Sequence, residues 1–290
     1  MSVTAAEVKA LRERTGAGMM ECKKALVEAE GDLDRAVESM RKAGLAKADK
    51  KAGRITAEGR IALAGDGICA ALVEVNSETD FVAGGDMLAG FADKLARLVL
   101  EEKPATVKAL LELDFAPGES VEAARRALIA KLGENISVRR FQWFESDGMI
   151  GRYLHGSRIG VLVELDGGDE SLARDVAMHV AASRPLCVSA QDVPKDLLER
   201  ERGIIQAQAE QSGKPAEIVS RMVEGRLKKF IAEVSLTGQA FVKHPEQTVG
   251  ALLQSHAVEV RRFTRFEMGE GIEKEAVDFA TEVMAQVRGA

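Results

Sequence analysis

Val138-Arg139-Arg140-Phe141, with Phe144-Glu145 close behind, returns near the end of the chain as Val260-Arg261-Arg262-Phe263 with Phe266-Glu267. An earlier phrase, Leu72-Val73-Glu74, returns in the same order as Leu162-Val163-Glu164. Self-similarity of this kind marks a repeated structural unit. The spacing predicts two copies of one sheet-and-helix fold, α+β in class. From Leu72 to Val138 is 66 residues and from Leu162 to Val260 is 98, so the second copy carries an insertion of 32.

Working outward, Arg60 to Ala64 and Ile68 to Val75 read as strands joined by Gly65-Asp66-Gly67, a hairpin with Asp-Gly turn chemistry. Met87, Leu88, Phe91, Leu95, Leu98 and Val99 recur at helical spacing, as do Val121, Ala124, Leu128, Ile129 and Leu132, before a strand from Ile136 to Phe144. The insertion falls near 194–230. There Leu197, Leu198, Ile204 and Ile205 line one helix, Ile218, Val219, Met222, Val223 and Leu227 another, and Ser212-Gly213-Lys214-Pro215 breaks the two into an antiparallel hairpin with a coiled-coil-like seam.

At the N-terminus, Thr4 with Glu7 fits a capping box, and Val8 and Leu11 supply an apolar stripe. Gly16 and Gly18 interrupt this helix, Met19 to Ala29 forms a second, and Asp32 caps a third through about Ala43. After the last strand, Ile272 to Val287 reads as a final helix with Val277, Ala280, Val283 and Met284 on one face. The expected divisions are 1–54 (helical domain and linker), 55–146 and 147–270 (the two halves), and 271–290 (C-terminal helical module).

Composition bounds the function. With 290 residues, 46% hydrophobic and 30% charged, the chain buries a sizeable core. It has no apolar run long enough to span a membrane and no basic-then-apolar leader, so a cytoplasmic location without membrane contact is expected. Cys22, Cys69 and Cys187 are too few and scattered for a disulfide framework or a zinc site. A net charge of -6 argues against direct nucleic-acid binding. The local basic run from Arg41 to Arg54 has no aromatic for base stacking and reads as a solvated linker rather than a phosphate contact.

No phosphate loop, His-Glu-x-x-His or Gly-x-Ser-x-Gly occurs, and the four histidines stand apart in sequence; no catalytic residue, cofactor or metal is expected. Thr79-Asp80-Phe81-Val82, where a strand runs into a loop, is the informative exception. A Phe there either folds back or protrudes, and a protruding ring beside a carboxylate suits insertion into a partner. His155-Gly156-Ser157-Arg158 joins two strands and reads equally as an exposed contact loop or an ordinary turn. Met19-Met20 suits a partner surface or a small helical core, core being the default.

Long phrases of this chain resemble the bacterial translation elongation factor Ts family, guanine-nucleotide exchange factors of elongation factor Tu, over almost the whole length. They are Leu11-Arg12-Glu13-Arg14-Thr15-Gly16-Ala17-Gly18-Met19-Met20, Thr79-Asp80-Phe81-Val82-Ala83, His155-Gly156-Ser157-Arg158-Ile159-Gly160-Val161, Gln211-Ser212-Gly213-Lys214-Pro215, Glu233-Val234-Ser235-Leu236-Thr237-Gly238-Gln239 and Arg265-Phe266-Glu267-Met268-Gly269-Glu270-Gly271.

The resemblance implies a ubiquitin-associated-like N-terminal domain, a core of two related halves, a helical hairpin and a C-terminal helical module. It also implies that Thr79, Asp80, Phe81 and Val82 enter the GTPase near its magnesium site and dislodge the ion. Leu11, Arg12, Met19, Met20 and His155 are implied as further contacts. The hairpin's seam permits a homodimer or another partner. One departure stands out: where the family often has a basic and a small polar residue after the motif, this chain has Gly84-Gly85-Asp86, which predicts a more flexible loop and a lost cationic contact.

Overall fold

The computed structural model describes residues 3–211 and 214–273, with only the backbone at 45–47 and 49. Residues 274–287 of the expected C-terminal helix and the Ser212-Gly213 part of the hairpin break therefore lie outside the described residues.

Three helices open the chain: α1 (Ala5–Thr15), α2 (Met19–Glu28) and α3 (Leu33–Lys51). The capping box forms as predicted. Thr4 Oγ1 accepts from the Glu7 amide at 3.3 Å, and Glu7 Oε2 accepts from the Thr4 amide at 2.7 Å, which holds the Glu7 carboxyl below its usual range. Gly16, at φ 66°, ends α1 in the left-handed region. Val8, Leu11, Cys22, Ala25, Leu26 and Ala36 form a small core of their own.

The third helix runs past Ala43 to Lys51, so the stretch expected as a linker is helical. Tertiary packing carries it. A Cβ on Gly44 would stand 3.1 Å from that of Ala130, so glycine lets α3 approach the helix over 121–132 closely, and Ala48 is buried in the main core.

The first half contains β1 (Glu58–Gly65), β2 (Cys69–Ser77), α4 (Asp80–Ala83), α5 (Asp86–Glu102), α6 (Val107–Glu112), β3 (Asp114–Ala116), β4 (Glu119–Ser120), α7 (Val121–Leu132) and β5 (Ile136–Glu145). The second has β6 (Met149–His155), β7 (Ile159–Leu165), α8 (Glu170–Ser183), α9 (Lys195–Glu210), α10 (Ala216–Val234), β8 (Ala240–Phe241), β9 (His244–Thr248), α11 (Val249–Ser255) and β10 (Val260–Glu267). Their antiparallel sheets run β1-β2-β5 and β6-β7-β10, the same order twice. The fold is α+β, with small antiparallel sheets and helices.

The repeated phrases occupy equivalent places. Glu74 on β2 is fully buried and accepts from Arg139 at 2.9 Å and Arg140 at 2.5 Å. Glu164 on β7 accepts from Arg261 at 3.4 Å and Arg262 at 2.6 Å. A buried carboxylate is tolerable only when its charge is met, and the doubled arginine meets it in both halves. Ile61, Leu72 and Phe144 from one half join Ile150, Leu162 and Phe266 from the other in a shared core.

The insertion is the α9–α10 hairpin. Ile205, Ala209, Val223 and Leu227 form its seam, flanked by Leu198, Val219 and Met222. Ile204 and Ile218, expected within the seam, are exposed instead. Adjacent positions on a helix point about 100° apart, so Ile204 and Ile205 cannot both face α10.

Candidate partner-binding site

The loop expected after β2 is a one-turn helix, α4. Thr79 is its cap: Thr79 Oγ1 accepts from the Val82 amide at 3.3 Å, while Ser77 Oγ donates to the Thr79 carbonyl at 3.0 Å. Val82 and Ala83 are buried, Val82 within the core of the first half, and Arg60 donates to the Ala83 carbonyl at 3.4 Å. Four residues at one turn cannot all face inward. Asp80 points to solvent and the Phe81 side chain is 87% exposed. A fully exposed ring forgoes roughly 1.5–3 kcal/mol of burial, so the fold alone gives no reason for it.

The segment ahead of the ring is fixed. Glu134, just beyond α7, accepts from the Thr79 hydroxyl at 2.7 Å and the Thr79 amide at 3.0 Å. In return the Asn135 amide donates to Glu78 at 2.6 Å, and Glu78 also accepts from Arg54 at 3.2 Å. Glu134 lies 55 positions from Thr79, beyond the reach of local pattern reading.

Gly84 and Gly85, expected as a loop after the motif, form a hydrogen-bonded turn between α4 and α5. Their φ values are both -79°, their amides donate to Asp80 and Val82 carbonyls at 2.9 and 3.1 Å, and Gly85 precedes α5 as its cap. Neither needs the left-handed region that glycine uniquely favours.

The other candidates divide. Leu11 is completely buried among the three helices, where its side chain is part of their core and supports the exposed residues of the same phrase. Arg12 is exposed, and so are Met19 (57%) and Met20 (77%), contrary to the core default. They open α2, where Cys22, Ala25 and Leu26 take the inward positions. His155 is exposed at the end of β6, its Nδ1 3.2 Å from the Tyr153 hydroxyl. The turn behind it is no free loop: the Ser157 carbonyl accepts from Ile61 at 2.8 Å, the Arg158 carbonyl from Met268 at 2.8 Å, and Arg158 pairs with Glu58 at 3.0 Å.

Two structural bridges link these segments. The end of α7 and the corner after it touch both the Phe81 turn and the helical domain: Lys131 lies against Gly16, Lys51 donates to the Gly133 carbonyl, and Asn135 donates to the Arg54 carbonyl at 2.9 Å. Strand β1 joins the Phe81 turn to the His155 turn through Arg60 and Ile61.

Two further polar features are met by partners within the chain. His179 is buried, accepts from the Val242 amide at 3.2 Å through Nδ1 and donates to Gln239 at 2.9 Å, and burial pushes its pKa down. A cleft of about 310 Å³ beside Tyr153 holds Arg152, which is already engaged by Glu170 at 3.3 Å. Among the described residues no group of three or more His, Cys, Asp or Glu is placed to hold a metal, and no helix is long and apolar enough to cross a membrane.

Comparison with known proteins completes the picture. A family model described as Elongation factor TS matches residues 78–270. The chain is 60% identical to the Elongation factor Ts of Alkalilimnicola ehrlichii and 60% to that of Methylococcus capsulatus, in each case over 100% of both chains. It is 55% identical to that of Alcanivorax borkumensis, covering 97% of this chain and 100% of the relative.

Proposed function

Since this chain belongs to the elongation factor Ts family, we propose that it is a guanine-nucleotide exchange factor of translation elongation whose partner is elongation factor Tu. The observation that carries the reading is Phe81, an almost fully exposed ring on a capped, buried-anchored turn. In this reading Asp80 and Phe81 enter the GTPase near its magnesium ion and displace the ion's ligands, with Thr79 and Val82 as the mounting. Magnesium neutralises nucleotide phosphates, so moving its ligands weakens nucleotide binding without any covalent step. The factor acts by binding, in the cytoplasm, with no cofactor of its own. By linkage it weakens nucleotide binding as much as nucleotide weakens its own.

One ring is not enough. Speeding release about 10⁴-fold requires lowering the barrier by about 5.5 kcal/mol, while burying one Phe yields about 1.5–3 kcal/mol. Arg12, Met19, Met20 and His155, all exposed, are the supporting contacts. Residues 1–54 and the two halves 55–146 and 147–270 are the units of this arrangement, with 271–290 as a C-terminal module. The hairpin's outward Ile204 and Ile218 offer a face for a second copy or another partner.

The test is release of a fluorescent GDP analogue from elongation factor Tu. Substoichiometric amounts of this protein accelerate it, and Phe81→Ala slows that acceleration roughly 10- to 150-fold, the rate equivalent of the ring's burial. Unchanged release with the wild-type chain overturns the function, and unchanged release with Phe81→Ala overturns the wedge.

A further inference from the structure

A four-residue helix has no stability of its own, because nucleating one turn costs more than its few hydrogen bonds return. The direction in which Phe81 leaves the surface is therefore set by whatever holds α4. Val82 and Ala83 anchor its inner side. At its outer end the Glu134 carboxylate takes both Thr79 protons, one oxygen receiving the hydroxyl at 2.7 Å and the other the amide at 3.0 Å. With its proton directed at Glu134, the Thr79 hydroxyl turns a lone pair toward the Val82 amide, the bond that caps α4. Glu78 and Asn135 close the same clasp from the opposite side at 2.6 Å. The Asn135 side chain extends it to the Ala52 and Arg54 carbonyls at 3.3 and 2.9 Å, at the end of the helical domain.

We infer that Glu134 is a positioning residue for nucleotide exchange: by gripping Thr79 it aims Phe81, without itself providing the group that enters the GTPase. The inference rests on the reading of Phe81 as that entering group. A ring free to swing must be ordered during the encounter, and a ring already aimed does not bear that entropy cost.

The experiment is a double-mutant cycle on GDP release from elongation factor Tu, measured at saturating concentrations of the full chain. Glu134→Ala is expected to lower the maximal release rate roughly five- to ten-fold, within the range of a typical net hydrogen bond because both bonds it removes are exposed, and Glu134→Gln, which keeps one acceptor, less. In the Phe81→Ala background the same change is expected to add no more than about two-fold, since there is no ring left to aim. Amide exchange at Val82 in the isolated protein quickens with Glu134→Ala, a readout that needs no partner.

If Phe81→Ala slows release while Glu134→Ala leaves it at the wild-type rate, the positioning role is wrong. If the two losses multiply, Glu134 acts by another route and the inference also falls. If Phe81→Ala itself changes nothing, the failure lies in the wedge, and the inference falls with it.

Discussion

The guanidinium of Arg140 lies 4.3 Å from the ring centre of Phe266. Its counterpart, Arg262, lies 4.1 Å from the ring of Phe144. Arg140 and Phe144 belong to the first half, Phe266 and Arg262 to the second, so each half places a cation over the other's aromatic. The same reciprocity appears in the backbone: the Ile61 amide donates to Ser157 at 2.8 Å, and the Ile150 amide to Gly67 at 2.6 Å. The recurring Val-Arg-Arg-Phe phrase is thus explained by an interface. One arginine in each half meets the buried glutamate of its own sheet while reaching across to the other half's aromatic ring.

Glu74 is the sensitive point of this interface. It also accepts from the Gly269 amide at 3.1 Å, so it ties both halves together. Glu74→Gln takes the shared carboxylate from both arginines, leaving Arg140 paired with Glu270 at 3.2 Å, and is expected to cost roughly 2–4 kcal/mol, below the full range for buried pairs because both guanidinia are partly solvated. Glu164→Gln is expected to cost less, since Arg261 and Arg262 are more exposed than Arg139 and Arg140. Urea unfolding of the two variants checks the order.

Phe81 and Val82 are expected to separate exchange activity from stability. Phe81→Ala is expected to leave the unfolding free energy within about 0.5 kcal/mol of wild type, as for other exposed substitutions. Val82→Ala removes part of a buried side chain and is expected to cost roughly 1–3 kcal/mol. Comparing chemical denaturation with exchange rate for both variants tests the separation.

His179 gives a pH dependence of defined sign. Burial lowers its folded pKa below the ordinary 6.5, the Gln239 hydrogen bond opposing this in part. The unfolded chain therefore binds the proton more readily, and stability falls as pH drops below about 6.5 toward the folded value. Its contribution is fully present above that window. The slope is at most about 1.4 kcal/mol per pH unit for one group. Unfolding measured between pH 7.5 and 5.5 is expected to show a slope that His179→Gln reduces.

Leu227 tests the independence of the hairpin. Its seam is a cluster separate from the two halves, so Leu227→Ala is expected to loosen α9 and α10 by roughly 2–5 kcal/mol and leave the sheets alone. Hydrogen exchange should quicken along the hairpin while β2 and β7 keep their protection.

The longer elements were legible because their patterns run for several periods. Ile68 to Val75 and Ile136 to Phe144 announce strands, and Phe91, Leu95 and Val99 a helix face. Short elements escaped for the opposite reason: α4 is a single turn, and β3 and β4 hold three and two residues. The length of α3 was hidden because its last turns are held by contacts with α7 rather than by local propensity. Of the candidate site, the exposure of Phe81 was readable as an alternative. The burial of Leu11 followed from the apolar stripe it forms with Val8. The grip of Glu134 on Thr79 left no trace in sequence, because nothing local relates two residues on opposite ends of a half.

The duplicated frame offers the same mounting points twice, and the two copies use them differently. The first copy fits a four-residue turn between its second strand and following helix; the second leaves that place to Gly167-Gly168 and grows an arm from another corner instead. At 1.5 Å per residue, the 16 and 19 residues of α9 and α10 extend roughly 25 Å. Duplication has thus left one chain with two unlike projections from equivalent frames, a stubby tooth of one turn and a long helical arm.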